Sequence, residues 1–146
     1  MAEKAKSETD LRVRDLMTTG VFTLEHNQSL SELDALMESK DVHHVPVVDE
    51  DDDTLIGIVS ARDVLGNALL RAAGYGSHGT EKLKKDMLIK DVVRTEVKTI
   101  GPDATIGEAA RTMRENGIGS LPVVIHDKLI GMLTATDLLE LLAELK

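Results

Sequence analysis

The chain states one pattern twice. Pro46-Val47-Val48 leads to Gly57-Ile58-Val59-Ser60-Ala61-Arg62-Asp63, and Pro122-Val123-Val124 leads to Gly131-Met132-Leu133-Thr134-Ala135-Thr136-Asp137. The correspondence reaches upstream. Val13-Arg14-Asp15-Leu16 matches Ile89-Lys90-Asp91-Val92, and Val21-Phe22-Thr23-Leu24 matches Val97-Lys98-Thr99-Ile100. Ser29-Leu30-Ser31-Glu32-Leu33 matches Thr105-Ile106-Gly107-Glu108-Ala109. The register holds to the prolines and then slips where Asp49-Glu50-Asp51-Asp52-Asp53 faces the shorter His126-Asp127-Lys128. Length variation in a polar turn between two apolar runs is what a hairpin tolerates. Such a duplication restricts the chain to two like units packed about a pseudo-twofold axis, with two like crevices between them.

Within each copy the pattern reads strand, helix, strand, strand, helix, so the expected class is α/β (α+β) with two β-α-β-β-α repeats. Ser29 and Glu32 have the spacing of a capping box, as do Thr105 and Glu108. Leu30, Leu33, Leu36 and Met37 follow at helical spacing, as do Ile106, Ala109, Ala110 and Met113. β-branched runs on either side of a polar turn predict one hairpin at Val45–Val48 and Leu55–Val59, and another at Leu121–Ile125 and Leu129–Leu133. A closing helix is predicted through Val64, Leu65, Ala68 and Leu69, and its counterpart through Leu138, Leu139, Leu141 and Leu142. Residues 1–10 read as a flexible N-terminal tail and 11–72 as the first repeat. The Gly- and Ser-containing stretch in 73–86 reads as a linker, and 87–146 as the second repeat.

Composition removes several functions. The absence of cysteine excludes disulfides, thiol catalysis and thiolate metal sites, and it fits a reducing, cytoplasmic setting. No signal peptide is evident, and no apolar run approaches the roughly 18 residues that span a bilayer. The formal charge is −9 and the aromatics are Phe22 and Tyr75 alone. Nucleic-acid binding needs clustered positive charge and stacking platforms, so neither nucleic acid nor an anionic membrane is an expected partner.

Pro-Val-Val ahead of Gly-x-x-Ser/Thr-x-x-Asp, in this order of elements and twice over, resembles the cystathionine β-synthase (CBS) domain. Two in tandem resemble a CBS pair, or Bateman module, and the resemblance runs from about Arg12 to Leu142. It implies a regulatory module that binds AMP, ADP, ATP or S-adenosylmethionine between the repeats and that dimerises with a second copy. It implies no required cofactor. No other stretch resembles a catalytic domain, so the expected module is not an enzyme and stands alone.

The residue types suit a nucleoside on physical grounds. One carboxylate can accept hydrogen bonds from both vicinal hydroxyls of a ribose, which fits Asp63 and Asp137. Each lies where a helix is predicted to start, and a helix N-terminus favours a phosphate. Ser60 and Thr134 add hydroxyls there. A flat base needs aliphatic walls and free backbone groups, which Val42-His43-His44 and Ile118-Gly119-Ser120 can supply. A plainer reading applies to the same residues, because Ser-x-x-Asp and Thr-x-x-Asp are themselves capping boxes.

The resemblance distributes these residues between two clefts. Pocket one would use Ser60, Arg62 and Asp63 with Arg94, Thr99, Ile118, Gly119 and Ser120. Pocket two would use Thr134, Thr136 and Asp137 with Thr18, Thr23, Val42, His43 and His44. Pocket one would hold two arginines, whose forked donors match phosphate. Pocket two has Thr136 in place of Arg62, and its cationic candidates are histidines.

Other candidates have structural readings. His43 and His44 are adjacent on a predicted strand and point to opposite faces, which does not suit one metal ion. The acidic run Asp49–Asp53 lacks the glycine and closing glutamate of a calcium loop and reads as a solvated turn. Met37 and Met113 read as core filler. Gly57 and Gly131 fit either close backbone approach to a ligand, or a bulge or tight packing in the hairpin. Asp15 and Asp91 are expected to cap the segments they open. Against the nucleotide sensor stand two rivals: a constitutive dimerisation scaffold with vestigial pockets, and a weak phosphohydrolase, for which no general base or metal cluster is evident.

Overall fold

The computed structural model describes residues 10–40, 44–60 and 87–145. The expected closing helix of the first copy, the linker and the tail before Asp10 lie outside the described residues. In chain order the elements are α1 (Val13–Leu16), β1 (Leu24–Glu25), α2 (Leu30–Lys40), β2 (His44–Val48) and β3 (Leu55–Ser60). A 3-10 turn (Ile89–Asp91) follows, then α3 (Ile106–Asn116), β4 (Ser120–Ile125), β5 (Lys128–Thr134) and α4 (Ala135–Ala143).

Both hairpins form with the same register. β2 pairs antiparallel with β3, setting Val45 opposite Val59, Pro46 opposite Ile58 and Val47 opposite Gly57. β4 pairs with β5 in the matching way: Leu121 with Leu133, Pro122 with Met132 and Val123 with Gly131. Each ladder then shifts by one residue, after Val47 and after Val123, so the copies share a bulge as well as a pattern. The expected first strand is short. It is β1 in the first copy, parallel to β2 through Leu24–Val47, and a single parallel bridge, Ile100–Val123, in the second.

Two turns solve the hairpin reversals differently. His126 (φ 50°) and Asp127 (φ 66°) form a two-residue connection with both residues left-handed, the geometry that matches the twist of the flanking strands. The acidic turn is longer. Asp49 Oδ1 accepts the Asp51 N–H at 2.9 Å and Asp52 Oδ1 accepts the Thr54 N–H at 3.0 Å. Those carboxylates organise the loop backbone.

The chain divides into two compact units: Phe22–Val97, and Met1–Val21 with Lys98–Lys146. These units and the sequence copies are different partitions, because each unit takes its leading segment from the other copy. In the Phe22–Val97 unit the core contains Leu24, Leu30, Leu33, Val45, Val47 and Val59 together with Met87, Ile89 and Val92 from the second copy. The backbone seals this join: Leu30 N–H donates to Met87 O, Ile89 N–H to Gln28 O and Lys90 N–H to His26 O. In the other unit Val13, from the first copy, is fully buried among Ala109, Met113, Leu121, Val123 and Leu133. Val13 N–H donates to Ala104 O and Arg14 N–H to Pro102 O.

Capping follows the sequence in α3 and α4 and departs from it in the two leading segments. Thr105 Oγ1 accepts the Glu108 N–H at 3.0 Å and Glu108 returns a carboxylate to the Thr105 N–H at 3.1 Å. α3 ends with Gly117 at φ 61°, where Gly117 N–H donates to Arg114 O and Ile118 N–H to Met113 O, a Schellman closure. Asp15 and Asp91 do not occupy the cap position. Each lies three residues further on and accepts the N–H of the cap residue, Arg12 at 2.8 Å and Leu88 at 3.0 Å. Ala110, expected on the inward face of α3, is exposed; the buried stripe centres on Ala109 and Met113, and one residue turns the helix by about 100°. Among the described residues no helix is long and apolar enough to cross a membrane.

Candidate functional site

Each hairpin has two faces. Val45, Val47 and Val59 point into one core, and Leu121, Val123 and Leu133 into the other. Side chains alternate along a strand, so the opposite face of the first hairpin carries His44, Pro46, Ile58 and Ser60. On the second it carries Ser120, Pro122, Met132 and Thr134. Ile58 and Met132 are buried, at 8% and 7% exposure, yet belong to neither core cluster. An aliphatic strip therefore ends on hydroxyl-bearing residues in both copies.

The exchanged segments complete these faces. Thr18 pairs with Met132, with Thr18 N–H to Met132 O at 2.8 Å and Met132 N–H to Thr18 O at 3.0 Å. Arg94, the matching residue of the second copy, pairs with Ile58 through bonds of 2.9 and 3.0 Å. Directly opposed residues share a face. Thr18 thus joins Ser120 and Thr134, and Arg94 joins His44 and Ser60. The close approach explains the two hairpin glycines. A Cβ on Gly57 would fall onto the Arg94 carbonyl oxygen, and one on Gly131 would lie 2.9 Å from Thr18 O. Their role is to admit the exchanged backbone.

At the end of β5, Thr134 caps α4. Its Oγ1 accepts the Asp137 N–H at 3.2 Å, and Asp137 Oδ2 accepts the Thr134 N–H at 2.8 Å. The capping reading of Thr134-x-x-Asp137 is realised. It engages Oδ2, and a carboxylate has about four lone-pair sites, so the box leaves room for further donors. Ala135 N–H, at the start of α4, donates to Gly119 O at 2.8 Å. Ile118 is the apolar residue after the Schellman glycine and packs on the core containing Met113. Thr136 is exposed on the first turn of α4, and Thr99 is exposed just ahead of the Ile100 bridge.

In the Phe22–Val97 unit, Ser60 is half-buried at the end of β3 and His44 is its cross-strand neighbour. Thr23 is exposed directly before β1. Arg62, Asp63, Val42 and His43 lie outside the described residues. The sequence grouping put Ile118–Gly119–Ser120 with Ser60 and Asp63, and His44 with Thr134 and Asp137. Hairpin register makes Ser120 the neighbour of Thr134, and His44 that of Ser60. The Pro46/Ile58 and Pro122/Met132 strips were not singled out from sequence; the alternation through each proline carries that signal. Among the described residues, no group of three His, Cys, Asp or Glu side chains could hold a metal ion.

Comparison with known proteins agrees with this architecture. The family model of the CBS domain matches residues 13–69 and again 89–144. The chain belongs to the CBS domain family and carries two copies of that domain. It is 33% identical over 130 residues to the protein MJ1225 of Methanocaldococcus jannaschii, a match covering 89% of this chain and 42% of that one. The chain thus spans less than half the length of that relative. Among solved structures, a putative acetoin utilization protein (AcuB) from Vibrio cholerae superposes with a TM-score of 0.77 at 33% identity, covering 92% of both chains. CBSX2, solved in complex with AMP, gives 0.75 at 25% identity, covering 92% of this chain and 97% of that one.

Proposed function

We propose that this chain is a cytoplasmic regulatory module that binds an adenine nucleotide or S-adenosylmethionine and signals to a partner protein by a shift in conformational population. The observation that carries the reading is the doubled hairpin face, an aliphatic strip ending on Ser60 in one copy and on Thr134 and Asp137 in the other. Pro46, Ile58, Pro122 and Met132 are buried, so a nucleoside would meet the polar end, where Ser60, Thr134 and Asp137 offer hydroxyl and carboxylate partners to a ribose. The AMP complex of the similar CBSX2 supports the same ligand class. Asp63 and Asp137 are the ribose acceptors in this reading, and Thr18, Thr23, Thr99, Gly119 and Thr136 border the ligand. A ligand shifts the module only by its difference in affinity for two states.

Thermal unfolding with AMP, ADP, ATP, adenosine and S-adenosylmethionine tests the proposal. Saturation at about 100 times the dissociation constant adds roughly 2.7 kcal/mol, an easily read rise in midpoint. No shift with any of them at millimolar concentration overturns it. A second reading, a nucleotide-independent dimerisation scaffold, is favoured by the exposed Leu139, Leu142 and Leu145 at the C-terminal end of the chain. It predicts a dimer by analytical ultracentrifugation and no thermal response to any nucleotide.

A further inference from the structure

The chain has no cysteine, so its sulfur chemistry belongs to its six methionines. All but Met1 lie among the described residues. Met87, Met113 and Met132 are sealed, at 3%, 5% and 7% exposure, whereas Met17 and Met37 are half-buried. Met37 packs on the core that contains Leu33 and Val45. Met17 packs on the core that contains Val13 and Leu133, and it also holds the leading segment in place. It closes α1, where its N–H donates to Val13 O at 2.9 Å, and it directly precedes the exchanged pair Thr18–Met132. A Cβ built on Gly131 would lie 2.9 Å from Met17 Sδ and 3.2 Å from Met17 Cγ. The thioether thus occupies the space that a side chain at 131 would need. We propose that Met17 is a site of reversible sulfur oxidation, and that its sulfoxide loosens the leading segment from β5.

The oxidant is hydrogen peroxide. A lone pair of the Met17 sulfur takes one peroxide oxygen as the O–O bond breaks. Sulfur is oxidised by two electrons, the peroxide is reduced, and water leaves. An apolar, adaptable thioether becomes a polar, chiral sulfoxide. Its oxygen is an acceptor beside backbone donors that are already engaged: Thr18 N–H with Met132 O at 2.8 Å, and Met132 N–H with Thr18 O at 3.0 Å. Left without a donor against the apolar core, that oxygen is costly. The sulfoxide therefore either competes for one of these donors or swings outward. Both moves undo the packing of Met17 against Gly131. Thr18 is the next residue and lies on the polar face with Ser120 and Thr134, so a change at Met17 reaches that face. Reduction of the sulfoxide restores the thioether. Met37, half-buried on α2 against the other core, is the internal comparison.

Treating the full chain with dilute hydrogen peroxide, then mapping peptide masses and amide exchange, tests this. The expected result is an oxygen on Met17 and exchange at the Thr18 and Met132 amides faster by roughly tenfold, the loss of about one hydrogen bond. Methionine sulfoxide reductase should return both to their starting values. Met17→Leu keeps the volume and removes the sulfur. After the same treatment its two amides should exchange at their untreated rate, while Met37→Leu should respond as the wild type does. Oxygen on Met37 and none on Met17 overturns the assignment. So does Met17 sulfoxide without faster exchange at Thr18 and Met132, or a Met17→Leu protein that loosens like the wild type. If Met17 is oxidised in urea and never in the folded chain, the sulfur is sealed and the assignment fails. Every readout is taken without nucleotide, so the outcome is separate from that of the adenine reading.

Discussion

Replacing Gly57 by alanine separates packing from propensity, because the two predict opposite signs. Glycine inside a strand is ordinarily worth about 0.5–1 kcal/mol less than alanine, so propensity alone forecasts a gain. Here the added Cβ would meet the Arg94 carbonyl oxygen and lie 2.8 Å from Val93 Cγ2. That same carbonyl accepts the Ile58 N–H at 3.0 Å, and Arg94 N–H donates to Ile58 O at 2.9 Å. If the exchanged segment stays, overpacking costs about 1–3 kcal/mol. If it withdraws, two hydrogen bonds are given up at about 0.5–1.5 kcal/mol each. Both routes converge on a loss of about 1–3 kcal/mol. Urea unfolding followed by circular dichroism reads this directly, since slopes of about 1–3 kcal/mol/M translate the loss into a midpoint shift near 1 M. Gly131→Ala should cost less, because one of its close neighbours is the flexible Met17 side chain. Gly101→Ala, with nothing within 4 Å, is the control and should be neutral or slightly stabilising. A Gly57→Ala protein as stable as the Gly101→Ala control would refute the claim that glycine is there to admit the neighbouring backbone.

Two further predictions concern the same architecture. Asp127→Gly should stabilise by up to about 1 kcal/mol, because it relieves an L-residue of a left-handed conformation in a two-residue turn; a lower thermal midpoint would contradict that turn. Val13→Ala should cost about 1–3 kcal/mol by cavity formation. Its amide-exchange signature should fall on residues 120–134, not on 45–59, and the reverse localisation would contradict the exchange of leading segments.

Much of this fold was legible because the pattern occurs twice. Both hairpins, the helices α2 and α3, and the Thr105–Glu108 box follow from periodicity and cap chemistry, which are local. What escaped was non-local. Nothing in Val13 or Ile89 announces that it joins the core of the other copy, since either core would accept a β-branched side chain. The leading segments form one turn of helix and a 3-10 turn, too short for periodicity to register. α4 shows the limit of apolar spacing: Leu138 packs on the core while Leu139 and Leu142 are 63% and 59% exposed. Thr134 and Asp137 carry a ligand reading and a capping reading in the sequence, and the structure displays the cap. Asp63 and Arg62 lie outside the described residues. Cross-strand partnership at Ser60 and Thr134 depends on register, and the bulge in each ladder falls beside Gly57 and Gly131, the glycines that mark it in the sequence.

The exchange has a consequence for how a doubled module acquires two different polar faces. Each polar face mixes the copies: His44 and Ser60 with Arg94 on one, Ser120 and Thr134 with Thr18 on the other. A chain holding only residues 87–146 would lack Val13, the Arg12–Thr105 bridge and the Thr18–Met132 pair, so it would expose core and leave backbone donors unmet. Both leading segments are therefore needed to complete the two cores. The face residues are free of that constraint, because the core contacts of β2–β5 lie on the opposite side of each hairpin. Charge on a face can then change at three positions while the hydrogen bonds beneath it, 2.8–3.0 Å in both units, stay as they are. The backbone pairing is alike in both copies, and the side chains at 44 and 94 against those at 120 and 18 are where the charge of the two faces differs.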